Sequence, residues 1–243
     1  MAAHESPRTP LLLLPGVLND AELWARQVPR LEDLAEIQIP DTAAYDNLPE
    51  LAAAILAEAP PRFALAGLSM GGYTAFEILR QAPERVIRLA LIDTTARPDT
   101  KHAAQRRRGL VSLAQKGQFR GVTPRLLPTF IASRNLENKE LSERIRAMAE
   151  RVGRDGFIRQ QEALIVRPDS RSLLPEITVP SLVVCGREDQ LTPPARAKEM
   201  ADSLPDADLL ILAGAGHLSP MERPVAVTEA LRAWLIRPPT ASG

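Results

Sequence analysis

Runs of apolar residues recur along the chain at LLLL (11–14), AEIQIP (35–40), RFALAG (62–67), VIRLALID (86–93), SLVVCG (181–186) and ADLLILAG (207–214). Most are unbroken rather than alternating, which predicts strands covered on both faces. Between them apolar positions return at helical spacing. DNLPELAAAILAEA opens with a capping Asp46 or Asn47 and an early Pro49, and MGGYTAFEILRQAP and ERPVAVTEALRAWL follow the same period. Strands and helices in alternation, joined by short connections, predict an α/β fold with a mostly parallel sheet and helices on both faces. From about Thr95 to Ile177 the strand pattern lapses, while NKELSERIRAMAERV and RDGFIRQQEALIV are amphipathic helices. The chain therefore divides into a core of residues 1–94 and 178–243 and a helical insertion of residues 95–177.

Composition narrows the possibilities. With 45% hydrophobic and 25% charged residues the chain has the balance of a globular protein that buries most of its apolar surface. Lys plus Arg (30) equals Asp plus Glu (30), so no overall field favours nucleic acid or an anionic membrane as partner. The four-leucine run before Pro15 is too short for a signal-peptide core or a membrane span, and the expected location is cytoplasmic. Cys185 is the single cysteine, so no intrachain disulfide can form, and a buried inert thiol is expected. Neither a helical pair of histidines nor a Cys/His cluster with ligand spacing is present, and neither a metal nor a cofactor is expected.

The stretch LAGLSMGGYTAF (65–76) places Ser69 between a strand that ends at Leu68 and a helix that begins near Met70. Such a turn strains the serine backbone and pushes its hydroxyl out above the strand ends, where ligands bind in open α/β sheets. It also brings strand and helix so close that Gly67 and Gly71 are required, with Gly72 adding room. A serine hydroxyl is a weak nucleophile without a base. Of the three histidines, His4 lies in the N-terminal arm and His102 beside Lys101, both read as solvated. His217 stands in LAGAGHLSPMERP, directly after the last strand pattern, on the same C-terminal edge of the sheet as Ser69. Asp189, in VVCGREDQLTPP, follows the preceding strand and is the expected acid to orient the imidazole. Its neighbour Glu188 should point elsewhere, and Asp93, which closes LALID, is the substitute. The chain order Ser69, Asp189, His217 is that of the G-x-S-x-G elbow.

Taken together, GLSMGG, GREDQLTPP and GAGHLSPMERP make the chain resemble an α/β-hydrolase over nearly its full length. It is most similar to the small esterases, enol-lactonases and cofactor-free perhydrolases whose core is interrupted by a helical cap after the family's sixth strand. The resemblance implies hydrolysis of a small-molecule ester or lactone through an acyl-serine intermediate. It also implies an oxyanion loop at LLLLPGVLNDAELW, where Pro15 replaces the family's histidine. Val17 and Met70 are its expected N–H donors, and Leu18 is the alternative to Val17. Only about ten residues precede LLLL, so the family's first two strands are expected to be absent. About six parallel strands would remain, with one sheet edge to be covered by the N-terminal arm or a partner.

The same triad also serves thioester and carbon–carbon bond hydrolysis, perhydrolysis and lyase chemistry. A serine rather than an aspartate at the elbow sets the chain apart from the family's epoxide hydrolases and dehalogenases. A non-catalytic ligand receptor would have no need of an intact Ser, His and Asp set. In the insertion, Leu126, Phe130, Ile131 and Phe157 are expected, like Leu18 and Trp24 in the core, either to line the substrate pocket or to pack. Arg106, Arg107 and Arg108 are consecutive on a helix, so at most one or two of them can face the site.

Overall fold

The computed structural model describes residues 8–238. His4 therefore lies outside the described residues. Six strands form one sheet: β1 (Thr9–Leu14), β2 (Ala35–Gln38), β3 (Phe63–Leu68), β4 (Val86–Ile92), β5 (Ser181–Gly186) and β6 (Ala207–Leu212). They lie in the order β2-β1-β3-β4-β5-β6, every neighbouring pair parallel. Among the described residues no strand precedes β1. The chain moves outward from β1 to β2, returns past β1 to β3, and then proceeds the other way. This reversal opens a crevice at the carboxyl ends of β1 and β3, the place where open α/β sheets bind their ligands.

Alternate strand residues feed two cores, as the two-residue period of a strand requires. Leu12, Leu14, Leu65, Leu89, Leu91 and Val183 pack under α1 (Leu48–Glu58), α2 (Met70–Gln81) and α6 (Pro194–Ser203). Leu11, Leu13, Ala66, Ala90, Ile92 and Val184 point the other way, toward α7 (Ser219–Glu222), α8 (Pro224–Ile236) and much of the helical segment between β4 and β5. Asn47 caps α1 by accepting the Glu50 N–H at 2.8 Å, with Pro49 in the first turn. The two edge strands are the exceptions to continuous burial: β2 exposes Glu36 and Gln38, and in β6 Leu209 is 39% exposed. Helix α6 carries only Ala197 and Met200 as buried residues, too thin an apolar stripe to stand out in the sequence.

Between β4 and β5 lie α3 (Lys101–Leu113), α4 (Leu127–Phe130) and α5 (Lys139–Ile165). Helix α5 joins the two amphipathic pieces read in the sequence, and its backbone breaks between them at Gly153, where φ is 69° and ψ is −176°. Its first half is tied to the loop after β1 by ion pairs of Arg151 with Asp20 and of Arg144 with Glu22 at 2.6 Å. No helix among the described residues is long and apolar enough to cross a membrane.

Candidate active site

The hydroxyl of Ser69 stands where β3 turns into α2. Its backbone has φ 53° and ψ −111°, a conformation a non-glycine residue rarely adopts, and the surrounding bonds hold it there. The Ser69 N–H donates to the Ile92 carbonyl at 3.0 Å, and the Thr94 hydroxyl donates to the Ser69 carbonyl at 2.8 Å. The turn is closed so tightly that a Cβ on Gly67 would lie 2.3 Å from the Gly71 carbonyl, and one on Gly71 would lie 2.2 Å from the carbonyl oxygen of Leu14. Both obstacles are backbone and cannot swing aside. Gly71→Ala is therefore expected to destabilise the fold by about 3 kcal/mol, a fall of about 10 °C in melting temperature for a chain of this size, measured by differential scanning fluorimetry.

His217 follows β6 in a loop whose backbone N–H donates to the Phe130 carbonyl at 2.8 Å, fastening it to the end of α4. Its Nε2 lies 2.9 Å from Ser69 Oγ, and its Nδ1 lies 2.8 Å from Asp189 Oδ2. Asp189 follows β5 and builds its own turn: Oδ1 accepts the N–H groups of Leu191 and Thr192 at 2.8 and 3.0 Å, while Oδ2 accepts the Thr192 hydroxyl at 2.7 Å. The structure thus brings Ser69, His217 and Asp189 into one hydrogen-bonded chain. Thr192, not singled out in the sequence, orients the carboxylate. Its signal was a threonine three residues after an aspartate in DQLTPP, the spacing at which a side chain bonds back into its own turn.

Burial alone would push Asp189 up and His217 down. The attraction between carboxylate and imidazole and their shared hydrogen bond outweigh it, so Asp189 sits below the ordinary carboxylate range and His217 above the ordinary imidazole value. Asp93 is fully buried, with Oδ1 accepting the Gly186 N–H at 2.8 Å and Oδ2 the Ser219 N–H at 3.0 Å. Burial and the nearby charge of Asp189 push it up to about 8. It clamps the two loops that carry Asp189 and His217, and it is not the carboxylate on the imidazole. Glu188 points elsewhere, accepting the Gly214 and Ala215 N–H groups. A residue the sequence did not flag, Glu222, accepts the N–H groups of Gly216 and Ala132, each at 2.7 Å, and so joins the histidine loop to the helical segment.

Asp93, Cys185 and Asp189 place their ligand atoms within 4.8 Å of one another. Both carboxylates already accept backbone N–H groups, and burial pushes the Cys185 thiol above its usual range, which disfavours the thiolate a metal needs.

The loop after β1 lies against the elbow: a Cβ on Gly16 would stand 3.2 Å from that of Ser69. Met70 is the first residue of α2, so its N–H has no carbonyl one turn back. Val17 N–H meets no acceptor among the described residues, whereas Leu18 N–H is taken by Gln160 Oε1 at 3.0 Å. Of the candidate pocket residues, Leu18, Trp24, Ile131 and Phe157 belong to one buried apolar cluster, with Phe130 packed against it. Leu126 is 46% exposed and stays outside that cluster. Of the three arginines, Arg107 turns inward but is held by Asp99 and Gln161, while Arg106 and Arg108 are exposed.

A parallel sheet with a serine elbow at its switch point, and a histidine and a carboxylate on the same rim, has the architecture of an α/β-hydrolase. The chain belongs to the alpha/beta hydrolase family, whose model matches residues 11–230. It is 25% identical to a pimeloyl-[acyl-carrier protein] methyl ester esterase of Photobacterium profundum, over 95% of this chain and 96% of the relative. It is 27% identical to 3-oxoadipate enol-lactonase 2 of Acinetobacter baylyi, over 73% of this chain and 65% of the relative. Among solved structures, a malate-bound thermophilic esterase from Thermogutta terrifontis superposes with a TM-score of 0.82 at 30% identity, covering 93% of this chain and 89% of that one.

Proposed function

We propose that the protein is a serine hydrolase that cleaves a small carboxylic ester or lactone, with Ser69 as nucleophile, His217 as general base and Asp189 as its orienting acid. The observation that carries this reading is the continuous chain from Ser69 Oγ through both ring nitrogens of His217 to Asp189. As Oγ bonds to the acyl carbon, its proton passes to Nε2, and the carbonyl electron pair moves onto oxygen. The N–H groups of Val17 and Met70 stabilise that oxyanion. The carbonyl re-forms as the bond to the alkoxide breaks, and His217 returns the proton to the leaving oxygen. Water then attacks the acyl-serine with its proton taken by His217, and the acid departs as Ser69 regains its hydrogen. Asp189 stays ionised throughout.

The helical segment of residues 95–177 acts as a cap, anchored to the histidine loop through Phe130 and Glu222 and to the oxyanion loop through Gln160. The relatives named as esterases and enol-lactonases support the same substrate classes. A fluorophosphonate probe tests the reading directly: one adduct, located on Ser69 by mass spectrometry, together with turnover of short p-nitrophenyl esters, is the expected result. A folded protein that neither labels nor turns over would instead be a ligand receptor.

A further inference from the structure

Helix α5 presses one polar side chain against the oxyanion loop. Gln160 is fully buried, and its Oε1 accepts the Leu18 N–H at 3.0 Å. Leu18 carries a φ of 60°, so this bond secures a turn that a leucine seldom makes and leaves the preceding Val17 N–H uncommitted. The same amide's Nε2 is buried and meets no acceptor among the described residues. A buried donor without a partner carries an uncompensated desolvation cost, which an acceptor arriving with a ligand would remove. Phe157, one turn back on the same helix, belongs with Leu18 to one buried apolar cluster. The orphaned Nε2 is a donor, so what it lacks is an oxygen.

We propose that Gln160 is a specificity-determining residue. Its Oε1 pins the oxyanion loop, and its Nε2 donates to a second oxygen function on the acyl chain of the bound ester, beyond the scissile carbonyl. The acyl chain is the part that stays bound through both half-reactions, so a fixed donor acting on it serves acylation and deacylation alike. The proposal rests on the hydrolase reading and deepens it: the preferred substrates are esters or lactones whose acyl part carries a keto, carboxyl or similar acceptor.

The test compares kcat/KM of the full chain for p-nitrophenyl pentanoate against 4-oxopentanoate, and hexanoate against 5-oxohexanoate. The wild type is expected to prefer the oxo ester in at least one pair by about tenfold. Gln160→Met removes that preference, bringing the ratio to one whatever happens to the common rate. Loss of the Leu18 bond alone would slow both members of a pair equally and leave the ratio unchanged. Gln160→Glu keeps an oxygen for the Leu18 N–H and makes the ratio fall as pH rises, because its acid form donates to the second oxygen and its ionised form repels it, whereas the wild-type ratio stays flat with pH; this preserves the test if the methionine variant fails to fold. A wild-type ratio of one in both pairs, or a preference that survives in Gln160→Met, overturns the proposal. Failure of the hydrolase reading looks different: no wild-type turnover of any of the four esters and no fluorophosphonate adduct on Ser69, in which event the proposal falls with it.

Discussion

Ser69→Ala is expected to lower kcat toward short esters on the order of 10⁶-fold while leaving the melting temperature almost unchanged. The alanine removes the atom that bonds to the acyl carbon and nothing that holds the elbow. The strained turn is fixed by backbone bonds to Ile92 and Thr94 and by the Gly67–Gly71 approach, and none of them involves the hydroxyl. His217→Ala should cost about as much, because an unassisted hydroxyl at neutral pH is almost wholly protonated. The double variant should then be scarcely worse than either single one, since the two residues act as a unit and residual turnover comes from the oxyanion donors and binding alone. Additive losses in the double variant, or wild-type rates in either single one, would show that these two side chains do not form a catalytic pair.

Asp189→Asn is expected to lower kcat by about 10⁴-fold and to move the acidic limb of the pH–rate profile toward lower pH. In the wild type, Asp189 Oδ1 accepts two backbone N–H groups and Oδ2 faces the imidazole. An asparagine that keeps its oxygen on the backbone turns its NH₂ toward His217 Nδ1. The imidazole must then carry its proton on Nε2, facing Ser69, where it can no longer act as a base. The sign of the pH shift follows from what holds His217 up. Burial depresses it, and the charge and hydrogen bond of Asp189 outweigh that depression, with smaller help from Asp93 and Glu222. Activity requires the neutral ring and therefore rises with pH through a value above the ordinary imidazole pKa. Without the Asp189 charge, burial regains the upper hand and the limb shifts down. Asp93→Asn should behave oppositely: it exchanges one of two carboxylate acceptors for an NH₂ that meets a backbone N–H, lowering the melting temperature while Ser69 still labels. If Asp93→Asn rather than Asp189→Asn abolished activity with the fold intact, the assignment of the acid would be reversed.

Much of this architecture is local and was legible in the chain. Apolar runs, most of them unbroken, marked all six strands, because parallel strands are buried on both faces and their side chains seldom alternate in polarity. Gly153 separated the two amphipathic pieces of α5, since glycine alone takes that backbone geometry without strain. The elbow announced itself because a strand that turns straight into a helix leaves no volume for a Cβ at positions 67 and 71. Helix α6 went unread because only two of its residues are buried, so its period is faint.

The order Ser69, Asp189, His217 and their common sheet edge were determined by the sequence alone, through the strand pattern that precedes each of them. Their contact, the separation of Asp93 from Asp189 in role, the service of Thr192 and Glu222, and the grip of Gln160 on the loop after β1 were decided only by the tertiary structure. The physical reason is that a strand pattern sets which edge a loop leaves from. Hydrogen-bond partners 28, 90, 142 or 148 positions apart in the chain are chosen by packing across the sheet, which no local period records.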